Sequence, residues 1–249
     1  MISKNQVKYV RQLELKKYRR REGVFVAEGP KVVGDLLAAG FRPRYLFATE
    51  DWRGKEENAI VTLVTDEELR KLSFLQHPQQ VLAVMETPPP APARKEQGLM
   101  LALDGVQDPG NLGTIIRIAD WFGIDTIYCS EDTADAWSPK VVQATMGSIA
   151  RVHINYTSLA ELLDATTLPV YGTLLDGENI YQQELSDEGI IVMGNEGNGI
   201  SPDIRQRITR RLLIPDFHQG DTADSLNVAI ATAITCSEFR RRKSPQISF

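Results

Sequence analysis

The sequence predicts an α/β protein built on a parallel sheet with helices on both faces, preceded by a smaller α/β domain. Three observations carry that prediction. From Leu99 onward, short continuous apolar runs alternate with amphipathic stretches of helical period, the pattern of repeated β-α units. A proline-rich stretch, Glu86-Thr-Pro-Pro-Pro-Ala-Pro-Ala-Arg-Lys-Glu-Gln-Gly98, interrupts the periodicity and reads as a semi-rigid linker. Polar blocks rich in Asn, Gly and Glu follow directly after apolar runs, where such sheets place ligand-binding loops. The expected division is a first domain at 1–90, a linker at 91–98 and a second domain at 99–249.

In the first domain, Val7, Val10, Leu13 and Tyr18 stand near helical spacing and predict a helix over Ser3–Arg21, capped by Ser3 or Asn5. Val24–Ala27 reads as a strand, Lys31–Ala39 as a helix closed by Gly40, and Tyr45–Ala48 as a strand. Thr65 and Glu68 form a capping box for a helix that runs to Leu72, and Val81–Met85 is the last strand.

After the linker, strands are predicted at Leu99–Leu103, Thr126–Cys129, Arg151–Ile154, Val170–Leu174, Ile190–Met193 and Arg211–Ile214. Helices are predicted at Leu112–Phe122, Pro139–Ile149, Leu159–Ala165, Pro202–Thr209 and Leu226–Arg240. Ser138-Pro139 and Ser201-Pro202 put a cap before a first-turn proline, and Ser158 with Glu161 forms another capping box.

Bulk properties narrow the function classes. No apolar run is long enough to cross a bilayer, and Met1-Ile-Ser-Lys-Asn lacks the apolar stretch of a signal peptide. Cys129 and Cys236 are far apart with no C-x-x-C spacing, so neither a disulfide framework nor a zinc site is expected, and a cytoplasmic setting fits. His77, His153 and His218 match no metal-ligand spacing, and Asp216, Asp221 and Asp224 share a loop without an EF-hand pattern; no metal is expected. The formal net charge is −5, yet residues 1–31 hold nine Lys/Arg against three acids, which leaves −11 on the remainder. A basic arm on an acidic body suits a protein that grips phosphates while staying soluble, although a solvated helix face gives the same pattern.

Three blocks stand out. In the first, Asn111 precedes an amphipathic helix it could cap, and Arg117 sits in its second turn, where it pairs with Asp120 or grips a phosphate. In the second, Gly194-Asn-Glu196-Gly197-Asn-Gly199, the glycines are spaced three and then two apart. That is the reverse of the dinucleotide fingerprint and argues against a nucleotide-dependent oxidoreductase. Turn chemistry does not require Glu196, which would complement a sulfonium or amine or anchor another loop. In the third, Ile214-Pro215 is followed by Ser225-Leu226-Asn227, where capping accounts for Ser225 but not for Asn227.

In this order the blocks closely resemble the SpoU branch of the SPOUT methyltransferases, whose pattern is N-x-G-x-x-x-R, then G-x-E-G-x-G, then I-P followed by S-L-N. The matching residues are Asn111, Gly113 and Arg117; Gly194, Glu196, Gly197 and Gly199; and Ile214, Pro215, Ser225, Leu226 and Asn227. Ser3, Asn5, Lys8, Lys17, Arg19, Phe25 and Glu28-Gly29 resemble the family's ribosomal-protein-like substrate-binding domain. The resemblance implies an S-adenosyl-L-methionine-dependent RNA methyltransferase acting on the ribose 2′-hydroxyl of rRNA or tRNA. It further implies a trefoil knot around the cofactor and a homodimer with its active site at the subunit interface. Backbone groups near Gly194, Ile214 and Leu226 would hold the cofactor, and Lys8, Lys17 and Arg19 would contact RNA. Arg117 would act at the ribose, with Asn111, Glu196, Ser225 and Asn227 positioning substrate and Arg117. A guanidinium stays protonated to about pH 12, so orienting the hydroxyl and stabilising a developing alkoxide is the chemistry expected of it. Two departures are visible. Asp216 stands where a Met usually follows I-P, in a longer and more acidic 216–224 loop, and Gln80 stands where a glycine is common. An RNA-binding protein that keeps the fold without methylating is the alternative.

Overall fold

The computed structural model describes residues 2–52, 61–89, 97–218 and 225–241. The expected linker at 91–98 lies almost wholly outside them, as do 219–224 of the acidic loop and the last two residues of the basic run Arg240-Arg-Arg-Lys243, whose sequence suits a solvated tail or an RNA contact.

The first elements are α1 (Lys4–Gln12), α2 (Lys16–Glu22), β1 (Val24–Glu28), α3 (Pro30–Ala38), β2 (Pro43–Ala48), β3 (Val61–Leu63), α4 (Asp66–Leu72) and β4 (Val81–Glu86). Ser3 and Thr65 open α1 and α4 with full capping boxes. The single helix expected over Ser3–Arg21 is two helices broken at Leu13–Leu15. Arg19 explains why: its Nη1 donates to the carbonyls of Leu13 (2.7 Å) and Glu14 (2.6 Å) at the break. Carbonyls at a helix end need such a partner. The strands form a mixed sheet in the order β1-β4-β2-β3. Gln80, just before β4, adopts φ 53°, the left-handed region that favours the glycine expected there.

The chain continues with β5 (Leu99–Leu103), α5 (Pro109–Trp121), β6 (Thr126–Cys129), α6 (Pro139–Ala144), β7 (His153–Tyr156), α7 (Leu159–Ala165), β8 (Val170–Asn179), β9 (Gly189–Met193), α8 (Pro202–Arg205), β10 (Arg210–Leu213) and α9 (Val228–Arg241). The helix expected over Pro139–Ile149 stops early because Met146 (φ 52°) and Gly147 (φ 95°) turn left-handed; a 3₁₀ turn follows at Ser148–Ala150. The expected helix Pro202–Thr209 likewise ends at Arg205.

Contacts divide the chain into two compact units, Met1–Pro90 with Asp135–Arg151, and Ala91–Ala134 with Val152–Phe249. In the first, Val10, Leu13, Val24, Val26, Phe47, Leu69 and Leu82 form the core, and Phe25 meets Trp137 at 4.7 Å between ring centroids. In the second, six strands run in the order β10-β8-β9-β5-β6-β7, every neighbouring pair parallel. Met100, Ala102, Ile190 and Val192 pack on one face with Leu159, Leu163, Ile200 and Ile204. The alternate residues Leu101, Leu103, Ile191 and Met193 are equally buried, so both faces are covered as the continuous apolar runs require. Strand β8 is longer than expected. Its ladder with β10 jumps from Gly172 to Glu178 between Arg211 and Leu212, which leaves Thr173–Gly177 out of register. At Gly177 the backbone presses on Leu212 so closely that a methyl group would lie 2.5 Å from its carbonyl carbon.

Candidate functional site

Strands β5 and β9 are neighbours, with Leu103 opposite Met193, so the loops after them emerge side by side. This is the carboxyl end of a parallel sheet, where α/β folds bind ligands. The two loops are tied together by side chains. Asp104 accepts from the Ser201 amide at 2.7 Å, and Asn195 Nδ2 donates to the Gly105 carbonyl at 2.6 Å. Asn195 Oδ1 also takes the amides of Gly197 (2.9 Å) and Asn198 (3.0 Å), closing the turn that Asn195 and Gly199 bridge. Gly194 is obligatory there: an added Cβ would stand 2.3 Å from the Gly199 carbonyl carbon.

Glu196 is the centre of this arrangement. Its carboxylate accepts from the amides of Gln107 (3.2 Å) and Asp108 (3.1 Å) and from Asn111 Nδ2 (3.0 Å). Of the two roles open to it in the sequence, anchoring another loop is the one the structure shows. Partial burial alone would push its pKa up, but bonds from Asn111, its own amide, Gln107 and Asp108 together outweigh that and hold it below the ordinary 4.5.

Asn111 does not cap α5. Asp108 does, accepting the Asn111 amide at 2.8 Å, which frees the Asn111 side chain to bridge. Its Oδ1 accepts from Asn227 Nδ2 at 3.0 Å. Asn227 in turn, rather than Ser225, caps α9 by accepting from Ala229 (2.9 Å) and Ile230 (3.3 Å). One hydrogen-bonded chain therefore joins the three blocks: Glu196, Asn111, Asn227 and the start of α9. The far ends of the same two helices are joined where Arg240 donates to the carbonyls of Phe122 (2.8 Å) and Gly123 (3.0 Å).

Ser225 and Leu226 are exposed beside this chain, and Ile214 is half-buried after β10. Arg117 is exposed on α5 and makes no hydrogen bond or ion pair with a described residue, so it does not pair with Asp120. At 100° per residue it points about 120° away from Asn111 around the helix. Lys8 and Lys17 are exposed, with the Lys17 ammonium over the Tyr18 ring at 5.0 Å. Arg19 is a correction. It is only 4 % exposed and is spent on two carbonyls and an ion pair with Asp135, so it cannot meet a phosphate. Asp108 and Asn195 are the residues that the sequence reading missed. Asp108-Pro109 carries the same cap-then-proline signature as Ser138-Pro139 and would have revealed the true cap.

Against known proteins, residues 98–237 match the SpoU rRNA Methylase family, and residues 4–83 match the MRM3-like substrate binding domain. The 23S rRNA (guanosine(2553)-2′-O)-methyltransferase RlmP of Bacillus subtilis is 33 % identical over 248 residues, covering 96 % of this chain and 97 % of that protein. A TrmH-family chain from Porphyromonas gingivalis superimposes with a TM-score of 0.89 at 44 % identity, over 98 % of this chain and 100 % of its own. An AdoMet-bound rRNA methyltransferase from Sinorhizobium meliloti superimposes with a TM-score of 0.85 at 32 % identity, over 97 % and 96 %.

Proposed function

The chain belongs to the SpoU rRNA methylase family, and on that premise we infer that it methylates the 2′-hydroxyl of a ribose in rRNA or tRNA. Its cofactor is S-adenosyl-L-methionine. The observation that carries the assignment of the site is the bonded chain from Glu196 through Asn111 to Asn227, which brings three distant sequence blocks to one end of the sheet.

The residues there suit the cofactor. Gly194 offers backbone where no side chain fits, Ile214 and Leu226 are apolar, and none of the three carries a cation that would repel a sulfonium. When bound, the cofactor supplies a methyl group already activated for displacement. We assign its holding to backbone groups at Gly194, Ile214 and Leu226. Glu196 fixes the loop at Gln107–Asp108, and Asn111 and Asn227 fix the start of α9 against it, so the site is organised before substrate arrives. We assign substrate positioning to Ser225, which is exposed beside Leu226. Arg117 orients the ribose hydroxyl through the neighbouring phosphate and stabilises negative charge as it develops on the oxygen. Lys8 and Lys17 supply phosphate contacts from the first domain.

Two further parts of this reading rest on supporting observations. A homodimer is supported by Arg117, which faces away from Asn111, and by the exposure of Trp121 on α5 (85 %), Ile230 on α9 (52 %) and Leu226 just before α9 (51 %). A trefoil knot is what membership of this family implies, and the register shift between β8 and β10 at the sheet edge is compatible with it. A cytoplasmic site of action fits an RNA substrate, and no described helix is long and apolar enough to cross a membrane.

Methyl transfer from labelled cofactor into total rRNA and tRNA, with calorimetry of S-adenosylhomocysteine binding, tests the function. Incorporation of the label together with cofactor binding is the expected result. RNA binding without cofactor binding would instead identify a protein that keeps the fold but has lost the reaction.

A further inference from the structure

The first unit contains a cavity of about 340 Å³ lined by Asn5, Gln6, Tyr9, Tyr45 and Phe47. That is at the small end of ligand clefts, which run from roughly 300 to 1,000 Å³. Its walls are aromatic. The Tyr9 and Tyr45 rings meet edge-on at 5.6 Å, and Tyr45 lies nearly parallel to Phe47, 18° between planes. Phe47 is buried and forms the base, whereas Tyr45 is 40 % exposed. A ring left that open in a domain with a full core is not needed to complete the core.

The polar groups at the rim are uncommitted in a telling way. The Asn5 side chain is exposed and has no hydrogen-bond partner among the described residues. Gln6 uses its carbonyl oxygen to close the α1 capping box, which leaves its amide protons available. Amides beside aromatic rings read the edge of a nucleobase while the rings stack on its face. The charge is complementary as well. Helix α1 carries Lys4 and Lys8 beside Asn5 and Tyr9 in sequence, and Arg44 Nη1, which also lies 3.9 Å from the Glu22 carboxylate, reaches the Tyr9 hydroxyl at 3.5 Å. An aromatic slot bordered by cations is the arrangement that binds unpaired nucleotides.

We propose that this cavity receives a single unpaired nucleobase of the RNA substrate, stacked on the face of Tyr45 with Tyr9 closing the side of the slot, and read at its edge by Asn5 and Gln6. This inference rests on the reading of the first domain as an RNA-binding domain. It adds to that reading a preference for single-stranded RNA.

The test measures binding of the full-length protein to a labelled single-stranded RNA and to a duplex of the same sequence. Tyr45→Ala weakens single-strand binding about tenfold, within the range of one lost stacking contact, and leaves duplex binding unchanged. Tyr45→Phe binds like the parent. Lys8→Ala weakens both RNAs alike. If Tyr45→Ala binds normally while Lys8→Ala is impaired, the pocket is refuted and the domain's role stands. If neither variant affects binding, the domain's role falls with it. Photocrosslinking the unaltered protein to RNA carrying 4-thiouridine gives a readout independent of folding. Crosslinks at Tyr9 or Tyr45 support the pocket, and crosslinks elsewhere alone overturn it.

Discussion

Two buried or half-buried glutamates show how far environment separates identical side chains. Burial pushes the Glu28 pKa up, against opposing hydrogen bonds from Ser73 and Phe74 and the charge of Arg11, whereas the combined hydrogen bonds on Glu196 pull its pKa down. Their effects on stability therefore have opposite signs. For Glu28, with a raised folded pKa, the favourable contribution is full below the unfolded value and lost as pH rises through the folded one. For Glu196, with a depressed folded pKa, it is present above the unfolded value and lost as pH falls through the folded one. Melting temperatures of the parent and of Glu28→Gln and Glu196→Gln, followed from pH 3 to 7, test this. The parent should gain on Glu28→Gln as pH falls and lose its advantage over Glu196→Gln over the same range. Parallel curves would contradict both assignments. At this scale the sequence was informative where a residue lacked a local reason. Glu196 in a glycine turn and Asn227 at a helix start stood out for that reason, and both are held in the hydrogen-bonded chain. Asn111 and Ser225 offered plausible capping roles, and only the Asp108 and Asn227 bonds show that neither is a cap.

At the level of elements, periodicity located strands and helices well but could not see breaks within a continuous pattern. Leu99–Leu103 and Thr126–Cys129 match their expected bounds because apolar runs buried on both faces have sharp ends. The sequence of the first two helices reads as one because apolar spacing persists across the break at Leu13–Leu15. What permits the break is a side chain from the next turn, Arg19, answering the exposed carbonyls. Arg19→Ala should therefore destabilise the first unit by about 3 kcal/mol, since it leaves the two carbonyls and the half-buried Asp135 without this partner. Denaturant titration measures that loss. If the residue were instead an RNA contact, the variant would keep its stability and lose affinity for RNA.

At the scale of the whole molecule, the parallel sheet followed from continuous apolar runs such as β5 and β9, whose residues are buried throughout, as burial on two faces requires. Strand order, the register jump in β8 and the close approach of Gly177 to Leu212 depend on contacts between distant segments, and no local pattern encodes them. Dimerisation is the remaining claim at this scale. If Arg117 serves a site completed by a second copy, mixing inactive Arg117→Ala with inactive Glu196→Ala should restore activity, because half the sites in mixed dimers carry neither substitution. An active fraction that rises on mixing and subunit exchange is expected. No recovery, in dimers shown to exchange, would confine both residues to one chain's site.

The most direct test of the central claim is the single-turnover rate of methyl transfer to RNA, with the modified nucleoside identified, for the parent and Arg117→Ala. The parent should yield a 2′-O-methylated nucleoside. Arg117→Ala should be slower by about a hundredfold or more, as for loss of one group that stabilises developing charge, with cofactor binding unchanged. A methyl group on the base, or a variant as fast as the parent, would contradict it.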